Sequence, residues 1–312
     1  MAIRTNDDSS NNEGVNVSPS GEQDRVVEKA KVDLNGVAKT LLVTLIARAY
    51  DFSTPRPILG DPYAKDILER LDFDVTKMTL TLNQMASIAL RTSHFDRWTS
   101  DFLHRNPDTT VLHIACGLDS RMDRVKWGEN TRWVDIDLPE VIELRRKVQP
   151  TSLPGRDYSV LGVDVLNEDW MHGISTDGPV LVVMEGLLCY LPEEDGKRLL
   201  QRVCETFRRG ELLFECISSL TLQTLNGKTP IQSISSTGAV FHSSVDDPKA
   251  VELFHPDLKL VESVRLAEAP GVEMFPLGFR ALMYLRSWIP GVRDAARFLR
   301  FSFGEVGVVP DQ

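Results

Sequence analysis

The 312-residue sequence lacks any run of eighteen apolar residues, so nothing in it reads as a membrane-spanning helix. It has only four cysteines, Cys116, Cys189, Cys204 and Cys216, and no Cys-x-x-Cys or Cys/His ligand spacing. Neither a metal site nor a disulfide framework is expected, which leaves inert core thiols. Basic charge is also short. Lys and Arg total 35 against 45 Asp and Glu, a formal net charge of -10, which repels a phosphate backbone or an anionic membrane surface unless a local basic patch intervenes. The densest basic clusters, Arg145-Arg146-Lys147 and the arginines between positions 293 and 300, are short and fall in helical patterns, where solvated faces are expected. Nucleic acid and membrane are therefore disfavoured as partners. The first residues, rich in Asp, Asn and Ser, contain no apolar segment of the kind that opens a signal peptide, and a soluble, cytoplasmic protein is expected.

What is present suits a large core. With 42% hydrophobic residues, the chain has material for one big α/β domain with additions or for two modest domains. Residues 1–20 are polar and free of aromatics, and a disordered tail is expected there. From Glu22 the pattern turns helical, with Val37, Leu41, Leu42, Leu45 and Ile46 recurring at three and four, until Pro55, Pro57 and Gly60 break it. Asp61-Pro62 reads as an N-cap followed by proline at the first helical position, opening a helix to Leu71. Another helix is expected from about Leu82 to Leu103. Residues 21–106 are thus expected to form a helical cap over an α/β domain at 107–312.

In that second part, apolar runs at 111–115, 132–136, 158–165, 179–186 and 211–216 alternate with helical segments starting near Leu118, Leu138 and Pro192. Such alternation predicts a doubly wound, mostly parallel sheet. Residues 218–246, rich in Ser, Thr, Gln and Gly, read as an insertion over the site. A helix near 248–254 follows. Strands at 259–265 and 279–285, separated by a turn without a crossover helix, complete seven strands and are expected to pair antiparallel.

The stretch that organises the rest is Val111-Leu112-His113-Ile114-Ala115-Cys116-Gly117, where a β-branched run ends in small residues. A strand, a tight turn and a helix start are the geometry of a nucleotide-type cofactor site. Asp137, about twenty residues beyond Gly117 at a strand end, is placed to accept hydrogen bonds from a ribose diol. Asp164 and Glu185 also fall at the carboxyl ends of strands, and in a parallel sheet the three acids line one rim. Such a pocket suits NAD or S-adenosylmethionine. A pyrophosphate asks for several glycine amides, and Ala115-Cys116-Gly117 supplies one glycine, with Asp119 adding negative charge nearby. A sulfonium in acidic surroundings is the better fit, and methyl transfer the expected chemistry.

Three motifs carry a resemblance. His113-Ile114-Ala115-Cys116-Gly117-Leu118-Asp119-Ser120-Arg121, Trp133-Val134-Asp135-Ile136-Asp137-Leu138-Pro139 and Met184-Glu185-Gly186-Leu187-Leu188-Cys189-Tyr190-Leu191-Pro192 resemble the leucine carboxyl methyltransferase family, and within it the tetracenomycin polyketide synthesis O-methyltransferase branch. The likeness extends in order from about Gly36 to Leu285, including Ala89-Leu90-Arg91-Thr92 and Asp246-Asp247-Pro248. It implies a class I, Rossmann-like fold dependent on S-adenosylmethionine. It also implies that Arg91 pairs with the methionyl carboxylate, Ala115, Cys116 and Gly117 pass beneath the methionyl part, and Asp137 holds the ribose. Asp164 and Val165 would hold adenine, Glu185 would lie near the amino group, and Tyr190 would sit by the transferable methyl and the acceptor. One departure is clear: the family has Gly-x-Gly at this turn, and Ala115 stands at the first glycine. A methyl group there either tightens the site or weakens cofactor affinity.

The acceptor decides whether a base is needed. A carboxylate, with a pKa near ~4, is already ionised at neutral pH, whereas a phenol near ~10 is ionised to about one part in a thousand. The histidines available as a base are His94 and His242, with Tyr190 and His242 as acceptor-side residues. Methyl-ester formation on a metabolite carboxylate is the first expectation, and a polyketide-type phenol the near rival. A nicotinamide-dependent oxidoreductase and a non-catalytic cofactor-binding protein are the readings from other classes.

Overall fold

The computed structural model describes residues 29–149, 153–167, 169–175, 177–227, 234, 236–289 and 292–304. The tail expected at residues 1–20 lies outside the described residues. Seven strands form the main sheet: β1 (Thr110–Ile114), β2 (Arg132–Asp137), β3 (Asp157–Gly162), β4 (Val180–Met184), β5 (Arg209–Ile217), β6 (Lys259–Arg265) and β7 (Ala296–Gly304). Their spatial order is β3-β2-β1-β4-β5-β7-β6. The first five run parallel, and β7 lies antiparallel between β5 and β6. The order reverses between β1 and β4, so the crevice for a ligand opens at their carboxyl ends. Every residue of both strands is buried, as expected of central strands covered on both faces.

Side chains alternate across the sheet and sort the core into two layers. Leu112, Ile114 and Val182 face Leu199 and Val203 of the helix Glu193–Thr206. Val111, Trp133 and Val183 face Phe95, Trp98 and Phe102 of the long helix Leu82–Arg105. That long helix starts at a capping box in which Thr81 and Gln84 satisfy each other's backbone N–H groups. Before it come the helices Leu41–Phe52 and Pro62–Glu69, the second opened by Asp61, whose carboxylate accepts from the Tyr63 N–H. Leu42, Leu45 and Ile67 of this pair pack with Val141 and Leu144 of the helix Pro139–Val148, forming a third apolar cluster beside the crevice. All four cysteines are free and buried. No helix among the described residues is long and apolar enough to cross a membrane.

Four expectations need correction. Residues 279–285 lie in a helix, Leu277–Ser287, and the last strand is β7. The run Arg280-Ala281-Leu282-Met283 consists of good helix formers, and Pro276 precedes it as cap. β7 comes from the segment read as a basic helical face. Phe298, Leu299, Phe301 and Phe303 are buried there, while Arg300 is neutralised across the sheet by Glu211 on β5 at 2.8 Å. The helix expected after Gly117 is a single turn, Arg121–Arg124, ended by the extended backbone of Val125, and both terminal arginines pair with Asp96. The helix expected near 248–254 is a 3-10 segment, Pro248–Phe254.

Arg145 departs furthest from expectation. Read as part of a solvated face, it is fully buried and paired with Asp135, which also accepts from Trp133 Nε1 and the Tyr158 hydroxyl, each at 2.8 Å. Removing one member of a buried pair strands the other's charge. Arg145→Met is therefore expected to lower unfolding free energy by about 3–5 kcal/mol. The double variant Asp135→Asn/Arg145→Met should recover a large part of that loss, both being read by urea denaturation.

Candidate active site

β1 ends in a turn that local sterics make unusual. Ala115 has φ 55° and is the non-glycine residue with positive φ among those described; Gly117 follows at φ 52°. Space favours glycine at the second position as well, since a Cβ on Gly117 would press on Leu41 Cβ at 3.2 Å. The turn is pinned from both sides. The Cys116 N–H donates to Ile136 at 3.1 Å, and the Gly117 N–H donates to Asp137 Oδ2 at 2.7 Å. From below, Arg145 donates to the carbonyls of Gly117 and Asp119 at 2.9 and 2.8 Å, and Arg48 donates to that of Leu118 at 3.0 Å.

Asp137 terminates β2 facing this turn. Each carboxylate oxygen takes one backbone N–H, from Gly117 and Leu138, which leaves lone pairs for a diol. Burial outweighs these two donors and lifts its pKa to about 6. Asp164 lies past the end of β3 with its side chain exposed, its Oδ1 accepting from the Leu166 N–H at 3.0 Å; Val165 beside it is buried. This pairing of an acid with an apolar neighbour at the rim suits the polar edge and flat face of a purine.

Beyond β4, Glu185 is held by three donors: Arg91 Nε at 2.8 Å, Thr92 Oγ1 at 2.8 Å and Arg121 Nη2 at 2.5 Å. Burial opposes its ionisation, yet the two guanidiniums keep its pKa at about 2. Arg91 reaches across to Glu215 on β5 with Nη1 at 3.2 Å, and its side chain remains 20% exposed toward the crevice. Behind this group, Asp119 is shared by Arg48, Arg121 and Arg124, so its charge is compensated rather than directed at a ligand.

Arg91, Ala115, Cys116, Gly117, Asp137, Asp164, Val165, Glu185 and Tyr190 all line one cavity of about 700 Å³. The two candidate histidines do not. His94 is packed between Trp98 and Phe298, with ring centroids 4.2 and 5.0 Å away, and burial beside Arg97 presses its pKa down to about 4. His242 is exposed; its backbone N–H bonds to Cys189, and its neighbour Phe241 stacks on Tyr190 at 4.8 Å and lines the cavity in its place. Both are corrected accordingly. Burial drives the Tyr190 hydroxyl above its usual range, so it stays protonated and able to donate.

Glu215, Thr92 and Arg121 were absent from the sequence-derived site. Glu215 lies inside β5, followed by Cys216 and Ile217 of the same strand, so no strand-end signal marks it. No signal marks Arg121 either. The fit to an adenosyl amino acid rests on the donor set: a buried carboxylate for a diol, an acid and apolar pair for a purine, and an exposed edge of Arg91 for a carboxylate. A pyrophosphate finds no glycine-rich cradle at Ala115-Cys116-Gly117.

The sequence pattern of the family described as "Leucine carboxyl methyltransferase" matches residues 41–204. Tetracenomycin polyketide synthesis O-methyltransferase TcmP of Streptomyces glaucescens is 37% identical over 87% of this chain and 98% of its own length. The S-adenosyl-L-methionine-dependent methyltransferase dpfgK of Gibberella zeae is 35% identical over 76% of this chain and 84% of its own. Among solved structures, a DUF574 family protein from Streptomyces avermitilis aligns with TM-score 0.52 at 15% identity, over 83% of this chain and 97% of that one, a likeness of fold.

Two outcomes follow from this geometry. An alanine in the left-handed region costs about 1–2 kcal/mol, and glycine gives back roughly 0.5–1 kcal/mol of that through added chain freedom. Ala115→Gly is expected to stabilise the protein by a net of roughly 1 kcal/mol, seen as a higher denaturation midpoint. Asp137 binds its proton more tightly folded than unfolded, so the stability it confers is full below pH 4 and lost as pH rises through about 6. In denaturation series of the ligand-free protein, Asp137→Asn should remove a decline of up to roughly 3 kcal/mol across that window.

Proposed function

The chain belongs to the leucine carboxyl methyltransferase family and is an S-adenosylmethionine-dependent O-methyltransferase, and from that premise we propose that it forms a methyl ester on a carboxylate of a hydrophobic small molecule. That membership goes against a nicotinamide-dependent oxidoreductase. Asp137 would hold the ribose, Asp164 and Val165 the adenine, and Arg91, oriented by Glu185, the methionyl carboxylate. The turn from Ala115 to Gly117 would run beneath the methionyl chain. Residues 21–106 as a helical cap and 218–246 as a cover on the 107–312 core belong to the same proposal.

The observation that supports a carboxylate is the histidine of the cavity wall. His113 lines it, but Nδ1 faces Asp135 at 3.1 Å and Nε2 faces Arg121 at 2.9 Å, so neither nitrogen is free to take a proton from an acceptor. An acceptor that is ionised before it arrives needs no base. When bound, S-adenosylmethionine supplies an activated methyl group and a neighbouring positive charge, which matters because the lining arginines Arg48 and Arg91 are already paired with acids. Tyr190 would donate its hydroxyl to the acceptor oxygen and align it for in-line attack. Leu80, Ile88, Leu225, Phe241, Phe279 and Phe298 give the wall apolar surface that matches a hydrophobic acceptor.

A phenolic acceptor is the second reading, favoured by one carboxylate oxygen, Glu215 Oε2, which is buried without a hydrogen-bond partner. Product chemistry separates the two. Incubation with S-adenosylmethionine and a panel of hydrophobic acids and phenols is expected to give a product whose methyl group is released by mild hydroxide, as an ester's is. A hydroxide-stable aryl ether would overturn the carboxylate. Tyr190→Phe should lower kcat/KM about tenfold while cofactor affinity is unchanged, measured by steady-state kinetics and calorimetry.

A further inference from the structure

The helix Leu277–Ser287, between β6 and β7, is apolar on the side that meets the molecule and on the side that does not. Phe279 and Met283 point inward and pack on the core layer of the long helix. Successive helical residues turn by about 100°, so Leu277, Ala281, Leu285 and Trp288 fall together on the opposite side. There Leu277 is 79%, Leu285 66% and Trp288 74% exposed, with Tyr284 set edge-on to Trp288 at 6.2 Å. A helix apolar all round is normally a buried one. Among the described residues nothing covers this outer side.

Charge says what kind of partner suits it. Arg280 and Arg286 leave the helix on its two flanks, between the inner and outer faces, and both are exposed. Arg280 donates to the Glu273 carbonyl at 3.2 Å, whereas Arg286 has no hydrogen bond or ion pair to a described residue. From Phe275 to Val292 the chain contains no acid, and Arg293 follows. A two-fold contact with a second copy through this face would set arginines against arginines with no acid of the segment to receive them. An apolar strip with tryptophan and tyrosine, flanked on both sides by arginine, is instead the pattern of a helix lying in the headgroup plane of a bilayer.

We infer that the outer face of the helix Leu277–Ser287 docks on an anionic phospholipid surface, with Leu277, Leu285 and Trp288 inserted and Arg280 and Arg286 at the level of the phosphates. The formal charge of -10 turned the sequence-based expectation against a membrane, but that sum is taken over the whole chain. Within a Debye length of this helix the local sign decides, and it is positive. The contact is peripheral and needs no spanning segment. On the inner side of the same helix Phe279 lines the cavity, so the docking face and the cavity lie on opposite sides of one helix.

The test is co-sedimentation of the full chain with vesicles of phosphatidylcholine mixed with phosphatidylglycerol, and with vesicles of phosphatidylcholine alone. The parent protein is expected to bind the mixed vesicles and to bind the neutral ones several-fold more weakly. Trp288→Ser should weaken binding to the mixed vesicles about tenfold or more, through loss of inserted apolar surface. Arg286→Gln, a change at an exposed position that leaves the apolar strip intact, should weaken it about fivefold. No binding by the parent, equal binding to both vesicles, or unchanged binding in both variants overturns the proposal. Sedimentation velocity without lipid covers the other occupant: self-association of the parent that Trp288→Ser abolishes would give this face to a second copy and overturn the lipid assignment.

Discussion

Buried arginines hold this site in shape. Arg145 ties Asp135 on β2 to the carbonyls of Gly117 and Asp119. Arg48, from the helix Leu41–Phe52, ties Asp61 and Asp119 to the carbonyl of Leu118. Arg121 and Arg124 join Asp96 of the long helix to Asp119, and Arg121 continues to Glu185 at the end of β4. Each of these cations carries a desolvation penalty, and well-packed apolar residues would often serve stability as well. What ion pairs supply is direction. A guanidinium with fixed partners fixes the carbonyls it touches, and here those carbonyls belong to the turn under the proposed methionyl chain.

That restraint makes the strain at Ala115 intelligible. A left-handed alanine persists only where its surroundings over-determine the backbone. The N–H of Cys116, the N–H of Gly117 and the carbonyls of Gly117, Leu118 and Asp119 are all bound by groups outside the turn. The alanine thus keeps the glycine-like path that the family's Gly-x-Gly would take. Asp137 belongs to the same scheme. It is buried enough for its charge to be costly, and its remaining lone pairs are the feature a ribose diol would satisfy.

The wall of the cavity mixes charged and apolar groups: Asp137, Glu185, Glu215 and Arg91 line it together with Ile88 of the helix Leu82–Arg105 and Phe279 of the helix Leu277–Ser287. The charged groups suit a charged cofactor and the apolar ones the hydrophobic acceptor proposed above, with Tyr190 among the residues lining the same cavity. Helices from distant parts of the chain therefore contribute to one cavity.

Much was legible without the fold because its signals are local. Strand ends are marked by the switch from β-branched runs to small or acidic residues, which located Asp137, Asp164 and Glu185, and the Asp61-Pro62 cap announced its own helix. Other signals misled because they were equally local. Ala281 to Leu285 is a short apolar run that a strand or a helix could equally use, and Arg145 sits among polar neighbours on its helix, yet neither pattern says what lies across from it. By itself the sequence determined the parallel core, the turn after β1 and the acid rim, since each depends on residues near one another in the chain. Tertiary structure alone decided which arginines are buried, that His94 and His242 stand away from the cavity and that Glu215 stands in it. An ion pair such as Arg91 with Glu215 joins positions 124 residues apart, and nothing at either position encodes the other until the strands are laid side by side.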